Sequence, residues 1–395
     1  MRLTFKNLYF FWAFTRLWVI LSGYHHIPYP QADFLFSDVR LYDWWAGNIL
    51  DGHFPINDPM WQYPPLAAVI FAAGYAIAHE TVGFVFLAAL ADFVLMHLFV
   101  SNGKRHNNVH PATLWVLAPV AMGPIFLGRF DVFPTLVVCV ALFAANKPAK
   151  FGAWIAVGAI LKVWPVLGLL AIPRRDFRKA TMGFTASAIA LLIALHLWWN
   201  DSLNFIQGQR SRGLQIESLG ALPYMWKNAG SGSVTSNFQY GAIEVVAPGT
   251  GLISLFISAV FLLFIIFMVA QRLSGRLDGV APSHVLMLIV LMSMLTSRVL
   301  SPQYNLWILG LLAMCAFDPM KHFRELSMLI MVTAVCGQML YPWLYLSFQE
   351  GGVLATSVHT LRIICLIAAT ALLWQSVFTN AHRRDHSPQA TPVAD

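Results

Sequence analysis

The side chains best suited to chemistry are concentrated in residues 25–63, a stretch that we call the acidic loop. Its acidic residues, which lie among aromatic ones, are Asp33, Asp38, Asp43, Asp51 and Asp58. A carboxylate beside an apolar surface can act as a general base that takes a proton from an attacking hydroxyl. We predict Asp38 as this base because it stands where an amphipathic helix is expected to begin. Asp43 and Asp58 are second choices. For Asp33, Asp51 and Asp58 the alternative interpretation is that they are solvated acids in an interfacial aromatic belt.

Basic side chains elsewhere in the chain suit a phosphate group. A guanidinium binds phosphate through paired hydrogen bonds and stabilises negative charge that develops on a leaving group. The residues predicted to bind a phosphate or another part of the substrate are Arg40, Arg129, Lys162, Arg210, Arg212, Arg298, Gln303 and Tyr304. Asp131 and Glu217 lie in the same regions and are further polar candidates. The alternative for Arg210 and Arg212 is that they snorkel to a membrane surface.

The chain lacks the sequence motifs that are typical of most soluble enzymes. There is no Gly-rich phosphate loop, zinc-ligand spacing, nucleophile elbow or dinucleotide fingerprint. We therefore predict a site without cofactor or metal and leave a divalent ion as an open alternative. Arg16, Asp92 and Arg362 fall inside apolar runs, where an unpaired charge is costly. Each is expected to have a partner, most simply in a structural ion pair.

The elements that must position these residues are membrane helices. Of 395 residues, 58% are hydrophobic and 11% are charged, whereas about a quarter of a soluble domain is charged. Apolar runs approaching the ~20 residues that cross a bilayer recur from Leu8 to Phe378. The pattern predicts an all-α polytopic membrane protein with a bundle of about 12 transmembrane helices, some of them short or broken.

Three apolar segments are too short or too interrupted to be simple crossings. Residues 64–79 are predicted to form a re-entrant or interfacial helix. Residues 151–173 have basic residues at both ends, which favours two short helices that turn near Lys162. Residues 283–316 are interrupted at 298–303. Because polar backbone at membrane depth requires surrounding protein or water, the two breaks predict a cavity, which we place on the outer side.

The distribution of basic residues predicts the topology. The formal net charge is +7, but Lys and Arg cluster at the ends of apolar runs, so we predict membrane lipids and not nucleic acid as partners. The positive-inside rule then places both termini in the cytoplasm. Residues 1–380 are predicted to form a single transmembrane domain with outer loops at 25–63 and 200–249. Residues 381–395 are predicted to be a disordered cytoplasmic tail.

Several short motifs, in this order along the chain, give it a family resemblance. They are Ser37-Asp38-Val39-Arg40-Leu41-Tyr42, Gly52-His53-Phe54-Pro55, Tyr63-Pro64-Pro65-Leu66, Leu161-Lys162-Val163-Trp164-Pro165 and Ser301-Pro302-Gln303-Tyr304-Asn305-Leu306-Trp307. Together with the hydropathy pattern, they resemble the GT-C membrane glycosyltransferases of glycosyltransferase family 87. In that family an acid of the first outer loop acts as base, and the matching position here is Asp38. The loop lacks a strict Asp-x-Asp motif, which argues against a metal-bound donor.

The resemblance implies an enzyme that transfers a sugar with inversion, most simply mannose, from a polyprenyl-phosphate-linked donor. The implied acceptor is a glycolipid or glycan at the outer face of the plasma membrane, as in assembly of phosphatidylinositol mannosides or lipoglycans of the cell envelope. An arabinofuranosyltransferase of the same family is one alternative. A transporter of lipids or polyprenyl-linked sugars is another, because it too would use broken helices and a cationic cavity.

Overall fold

Helices make up most of the protein. The computed structural model describes residues 4–55, 58–199 and 212–385, with side chains described as far as residue 379. In chain order the α-helices are α1 Phe5–Gly23, α2 Ser37–Leu50, α3 Leu66–Ile77, α4 Val82–Arg105, α5 His110–Met122, α6 Val132–Phe143, α7 Pro148–Leu161, α8 Arg174–Trp198, α9 Leu222–Ser231, α10 Thr250–Leu273, α11 Pro282–Leu295, α12 Asn305–Cys315, α13 Phe323–Gln338, α14 Tyr345–Gln349 and α15 Val353–Asp385. The two strands are β1 Thr235–Gln239 and β2 Ala242–Val246.

Five helical segments of the described chain are long and apolar enough to cross a membrane. They are Val82–Arg105, Arg174–Trp198, Thr250–Leu273, Phe323–Trp343 and Val353–Thr379. The polytopic membrane architecture is confirmed at this level, whereas the count of about a dozen crossings remains a prediction. Helix α15 continues to Asp385, so residues 381–385 of the predicted tail are helical, and residues 386–395 lie outside the described residues.

Shorter apolar helices pack among the long ones. Helix α3 has 12 residues and is therefore about 18 Å long, which is less than the ~30 Å hydrocarbon core. It packs against α2 and α4, and the re-entrant or interfacial position of residues 64–79 stays a prediction. Helices α11 and α12 are buried along almost their whole lengths.

Both predicted breaks are present, and they meet. Helix α7 ends at Leu161, and a 3₁₀ segment from Trp164 to Leu170 leads back towards α8. The chain therefore turns near Lys162, although its second half is a 3₁₀ segment and not an α-helix. The other break separates α11 from α12. The rings of Trp164 and Trp307 stack with centroids 5.0 Å apart, which joins the two breaks into one surface.

An antiparallel hairpin of β1 and β2 corrects the prediction of an all-α chain. Its two-residue turn consists of Tyr240 and Gly241, which both have positive φ angles of 52° and 72°. This is the backbone twist that closes a tight hairpin, and glycine adopts it without steric cost. The hairpin was missed because each strand has only five residues in a chain dominated by long apolar runs.

Charged residues within the apolar helices have partners, as predicted. The guanidinium of Arg16 binds Asp92 with a nitrogen–oxygen distance of 2.8 Å, and both side chains are buried. The Asp92 carboxylate also accepts hydrogen bonds from the indoles of Trp12 and Trp115, both at 2.7 Å. Arg362 pairs with Glu217 at 2.6 Å. The first pair joins α1 to α4, and the second joins α15 to a turn that precedes α9.

Candidate active site

A cavity of about 260 Å³ lies where the acidic loop meets the two breaks and the hairpin turn. The first turns of α2 form one side, and the segments around Lys162 and Tyr304 form the other. Five of the predicted site residues line this cavity, namely Asp38, Lys162, Arg212, Gln303 and Tyr304. The cavity therefore brings together one carboxylate and two cations from segments far apart in the sequence.

Asp38 lies in the first turn of α2 and keeps 36% of its side-chain surface exposed. Its Oδ2 atom is 3.1 Å from Nε of Arg129. Residues Asp38, Leu41, Tyr42 and Trp45 follow helical spacing and all line the cavity. The carboxylate is thus held from one side and open to an incoming hydroxyl.

Arg129 supports Asp38 from beneath the cavity. Its side chain is 4% exposed and does not line the cavity. It donates hydrogen bonds to the carbonyl oxygens of Leu35 and Gly128, both at 2.8 Å, and to the Tyr341 hydroxyl at 3.0 Å. Because protein groups surround the guanidinium, this position contradicts the predicted direct contact with phosphate; Arg129 instead holds Asp38.

Two tyrosines line the cavity and form a hydrogen bond with each other. The hydroxyls of Tyr42 and Tyr63 are 2.8 Å apart. Burial raises the pKa of the Tyr63 phenol, and the negative charges of Asp38 and Asp131 raise it further. Both phenols line the cavity, and Tyr63 remains protonated and able to donate a hydrogen bond at neutral pH.

Lys162 is the cation at the base of the cavity. Its Nζ is 2.6 Å from Oδ1 of Asp131, and its side chain is 19% exposed. Rings of Tyr63, Tyr304 and Trp307 surround the ammonium, with centroids 5.2–5.9 Å away. Aromatic faces attract a cation while leaving its N–H groups available to a bound anion.

Arg212 and Arg298, which were both predicted to bind phosphate or another part of the substrate, occupy different positions. Arg212 lines the cavity and donates a hydrogen bond to the Tyr240 carbonyl at 3.1 Å. Arg298 lies behind it, donates to the Arg212 carbonyl at 2.9 Å, and lines a neighbouring groove beside Ser258 of α10. That groove adjoins the cavity at Tyr304. Arg210 lies outside the described residues.

Three further predicted residues lie away from the cavity. Arg40 is exposed and donates to the Asp33 carbonyl at 2.8 Å. Asp43 faces the backbone of Glu80. Asp58 accepts hydrogen bonds from the Trp45 indole at 2.7 Å and the Met60 amide at 2.8 Å. These bonds stabilise the acidic loop, and Asp58 does not line the cavity.

Three aromatic residues that line the cavity, Tyr63, Trp164 and Trp307, were not among the predicted site residues. Tyr63 and Trp164 each precede a proline, and Trp307 ends one of the quoted motifs. These positions were the signal available in the sequence. Among the described residues, no cluster of three or more His, Cys, Asp or Glu side chains is arranged to hold a metal ion. The cavity itself presents the Asp38 carboxylate together with two cations, Lys162 and Arg212.

Comparison with known proteins supports the family resemblance. Residues 61–223 match the model of glycosyltransferase family 87. A curated relative is the polyprenol-phosphate-mannose-dependent alpha-(1-2)-phosphatidylinositol mannoside mannosyltransferase of Mycobacterium tuberculosis (strain ATCC 25618 / H37Rv). It is 32% identical over 216 residues, which cover 46% of this chain and 48% of the relative. The chain thus spans about half the length of this relative. No solved structure matches the chain.

Proposed function

We propose that this chain transfers mannose, with inversion, from a polyprenyl-phosphate-linked donor to a glycolipid or glycan acceptor, because residues 61–223 match the model of glycosyltransferase family 87. The observation that carries this proposal is the half-open Asp38 carboxylate, fixed by Arg129, in a cavity that also contains Lys162 and Arg212. The family match begins after Asp38, so the role of this residue rests on its geometry.

The proposed reaction is a single displacement. Asp38 accepts the proton of the acceptor hydroxyl while the hydroxyl oxygen bonds to the anomeric carbon of the donor sugar. The bond between that carbon and the phosphate oxygen breaks, and its electron pair leaves with the lipid phosphate. Lys162 and Arg212 compensate the added negative charge on the phosphate.

A groove beside the cavity suits the isoprenoid chain of such a donor. Its apolar side chains include Leu167, Phe261 and Met294, and it reaches Arg298 at one end. Helix α10 exposes large apolar residues such as Leu255 and Leu262. A lipid tail could therefore lie between helix and bilayer while Arg298 assists in binding the phosphate.

Mannose is favoured over arabinofuranose because the relative is named as a mannosyltransferase. The transporter alternative gains no comparable support. We place the reaction at the outer face of the plasma membrane, with both termini in the cytoplasm. Basic residues at the end of α4 and the starts of α7 and α8 are those expected on the cytoplasmic side.

Replacement of the base tests this mechanism. Asp38→Asn removes the proton acceptor but retains an oxygen for Arg129, so we expect normal folding and a 10²–10⁴-fold lower rate, roughly the contribution of general base catalysis. The measurement is transfer by purified variants supplied with lipid-linked mannose and a phosphatidylinositol mannoside acceptor.

Asp33→Asn is the matched control because Asp33 lies in the same loop and is 91% exposed. This variant should retain the wild-type rate. A wild-type rate in Asp38→Asn would exclude Asp38 as the base.

A further inference from the structure

Asp131 stands at the beginning of a helix but does not cap it. The residue directly precedes α6, a position at which aspartate commonly accepts a hydrogen bond from the first turn. Its side chain makes no such bond. Instead its Oδ1 atom accepts hydrogen bonds from Nζ of Lys162 and Nε1 of Trp307, both at 2.6 Å. The carboxylate is therefore directed towards the base of the cavity.

If Asp131 served only to stabilise the fold, this orientation of its side chain would be energetically unfavourable. Asp131 is 1% exposed, and its Oδ2 atom has no hydrogen-bond partner among the described residues. A buried acceptor without a partner destabilises the folded state. A cap would have satisfied an N–H group of α6 at the same position, so the observed orientation points to a role at the cavity.

The same carboxylate oxygen fixes two parts of the cavity. Trp307 is stacked between Trp164 and Tyr304, with centroids 5.0 and 4.0 Å away. Lys162 has a flexible side chain that would otherwise sample several rotamers. With one N–H group bound to Asp131, the ammonium is held among the aromatic rings with its remaining N–H groups free to bind an anion.

We propose that Asp131 is a positioning residue that fixes Lys162 for binding the phosphate of the lipid-linked donor. The inference rests on the proposed function, since it assigns the phosphate of that donor to Lys162. Asp131 itself does not line the cavity and acts only through the ammonium and the indole.

A double-mutant cycle on phosphate binding tests the proposal. The variants are Asp131→Asn, Lys162→Met and the double variant, purified as full-length protein in detergent. The dissociation constant of a synthetic polyprenyl phosphate is measured for each, with the uncharged polyprenol as a second probe. We expect about tenfold weaker phosphate binding in each single variant, as for one charge-assisted hydrogen bond, and no further loss in the double variant. Binding of the polyprenol should not change.

Asp92→Asn is the matched control, because Asp92 forms a buried ion pair with Arg16 outside the cavity. It should reduce the yield of folded protein without changing phosphate binding by the folded fraction. If Asp131→Asn does not fold, Trp307→Phe keeps the ion pair and removes the indole donor. This variant should weaken phosphate binding less than Lys162→Met does.

Wild-type phosphate affinity in folded Asp131→Asn, or losses that add in the double variant, would overturn the proposal. The proposal would also be overturned if Trp307→Phe bound polyprenyl phosphate as weakly as Lys162→Met does. Wild-type protein that binds polyprenyl phosphate through this pair but transfers no sugar would refute the proposed function and leave the role of Asp131 intact.

Discussion

Asp38 differs from the other acids of the acidic loop in what surrounds its carboxylate. Asp33 is almost fully exposed, and Asp58 is bound to Trp45. Asp38 alone among these three combines a fixed cation with an opening to the cavity. A carboxylate held in this way is pre-oriented towards a hydroxyl, which is what general base catalysis requires.

Arg129 provides a test at the scale of a single residue. Arg129→Lys keeps the positive charge but loses the fork that binds Asp38, two carbonyl oxygens and Tyr341. We expect the free energy of unfolding to fall by about 2–5 kcal/mol and transfer to fall at least about tenfold. Thermal unfolding and transfer rates of the purified variant measure both effects.

Arg40→Lys is the comparison, because Arg40 is exposed and makes one backbone contact. Its unfolding free energy should change by less than about 0.5 kcal/mol. Equal losses in Arg40→Lys and Arg129→Lys would contradict the supporting role assigned to Arg129.

Residue type and helical spacing predicted part of the site. On α2, the face containing Asp38, Tyr42 and Trp45 lines the cavity, whereas Arg40 and Asp43 project elsewhere. That division follows from a period of 3.6 residues and was available from the sequence. The contacts that give Arg129 and Asp131 their roles depend on segments far apart in the chain, which spacing does not reveal.

At the scale of elements, the basic residues at both ends of 151–173 and the polar interruption at 298–303 predicted where helices break. Pro165 and Pro302 follow Lys162 and Arg298 closely, and α-helices end before both prolines. The sequence did not predict that the two breaks would stack through Trp164 and Trp307. It also did not reveal that the hairpin turn would complete the cavity. Both depend on tertiary packing.

The packing of α7 against α8 offers a test at this scale. An added Cβ at Gly152 would overlap the carbonyl oxygen of Ala180 and approach the amide nitrogen of Phe184. Gly152→Ala should therefore lower the free energy of unfolding by about 1–3 kcal/mol through overpacking. Thermal unfolding in detergent measures the change.

Gly251→Ala in α10 is the control, because a Cβ there would meet no atom within 4 Å. Alanine in a helix is favoured over glycine, so stability should be unchanged or slightly raised. If Gly152→Ala is as stable as Gly251→Ala, α7 and α8 do not pack as closely as the structure places them.

At the scale of the whole molecule, composition was enough to predict a helical membrane protein but not its number of crossings. Helices α3, α6, α7 and α11 are apolar yet have 12–14 residues, too few to span a bilayer individually. These short helices surround polar turns and leave room for a cavity. The candidate active site therefore lies among the helices and the turns that join them.

The most direct test of the central claim is product formation by the purified wild-type protein. The protein is incubated with synthetic polyprenyl-phosphate mannose and a phosphatidylinositol mannoside, and the lipids are analysed by mass spectrometry. We expect an acceptor with one added mannose and an equal amount of released polyprenyl phosphate. An unchanged acceptor, with the donor intact after incubation with folded protein, would contradict the account.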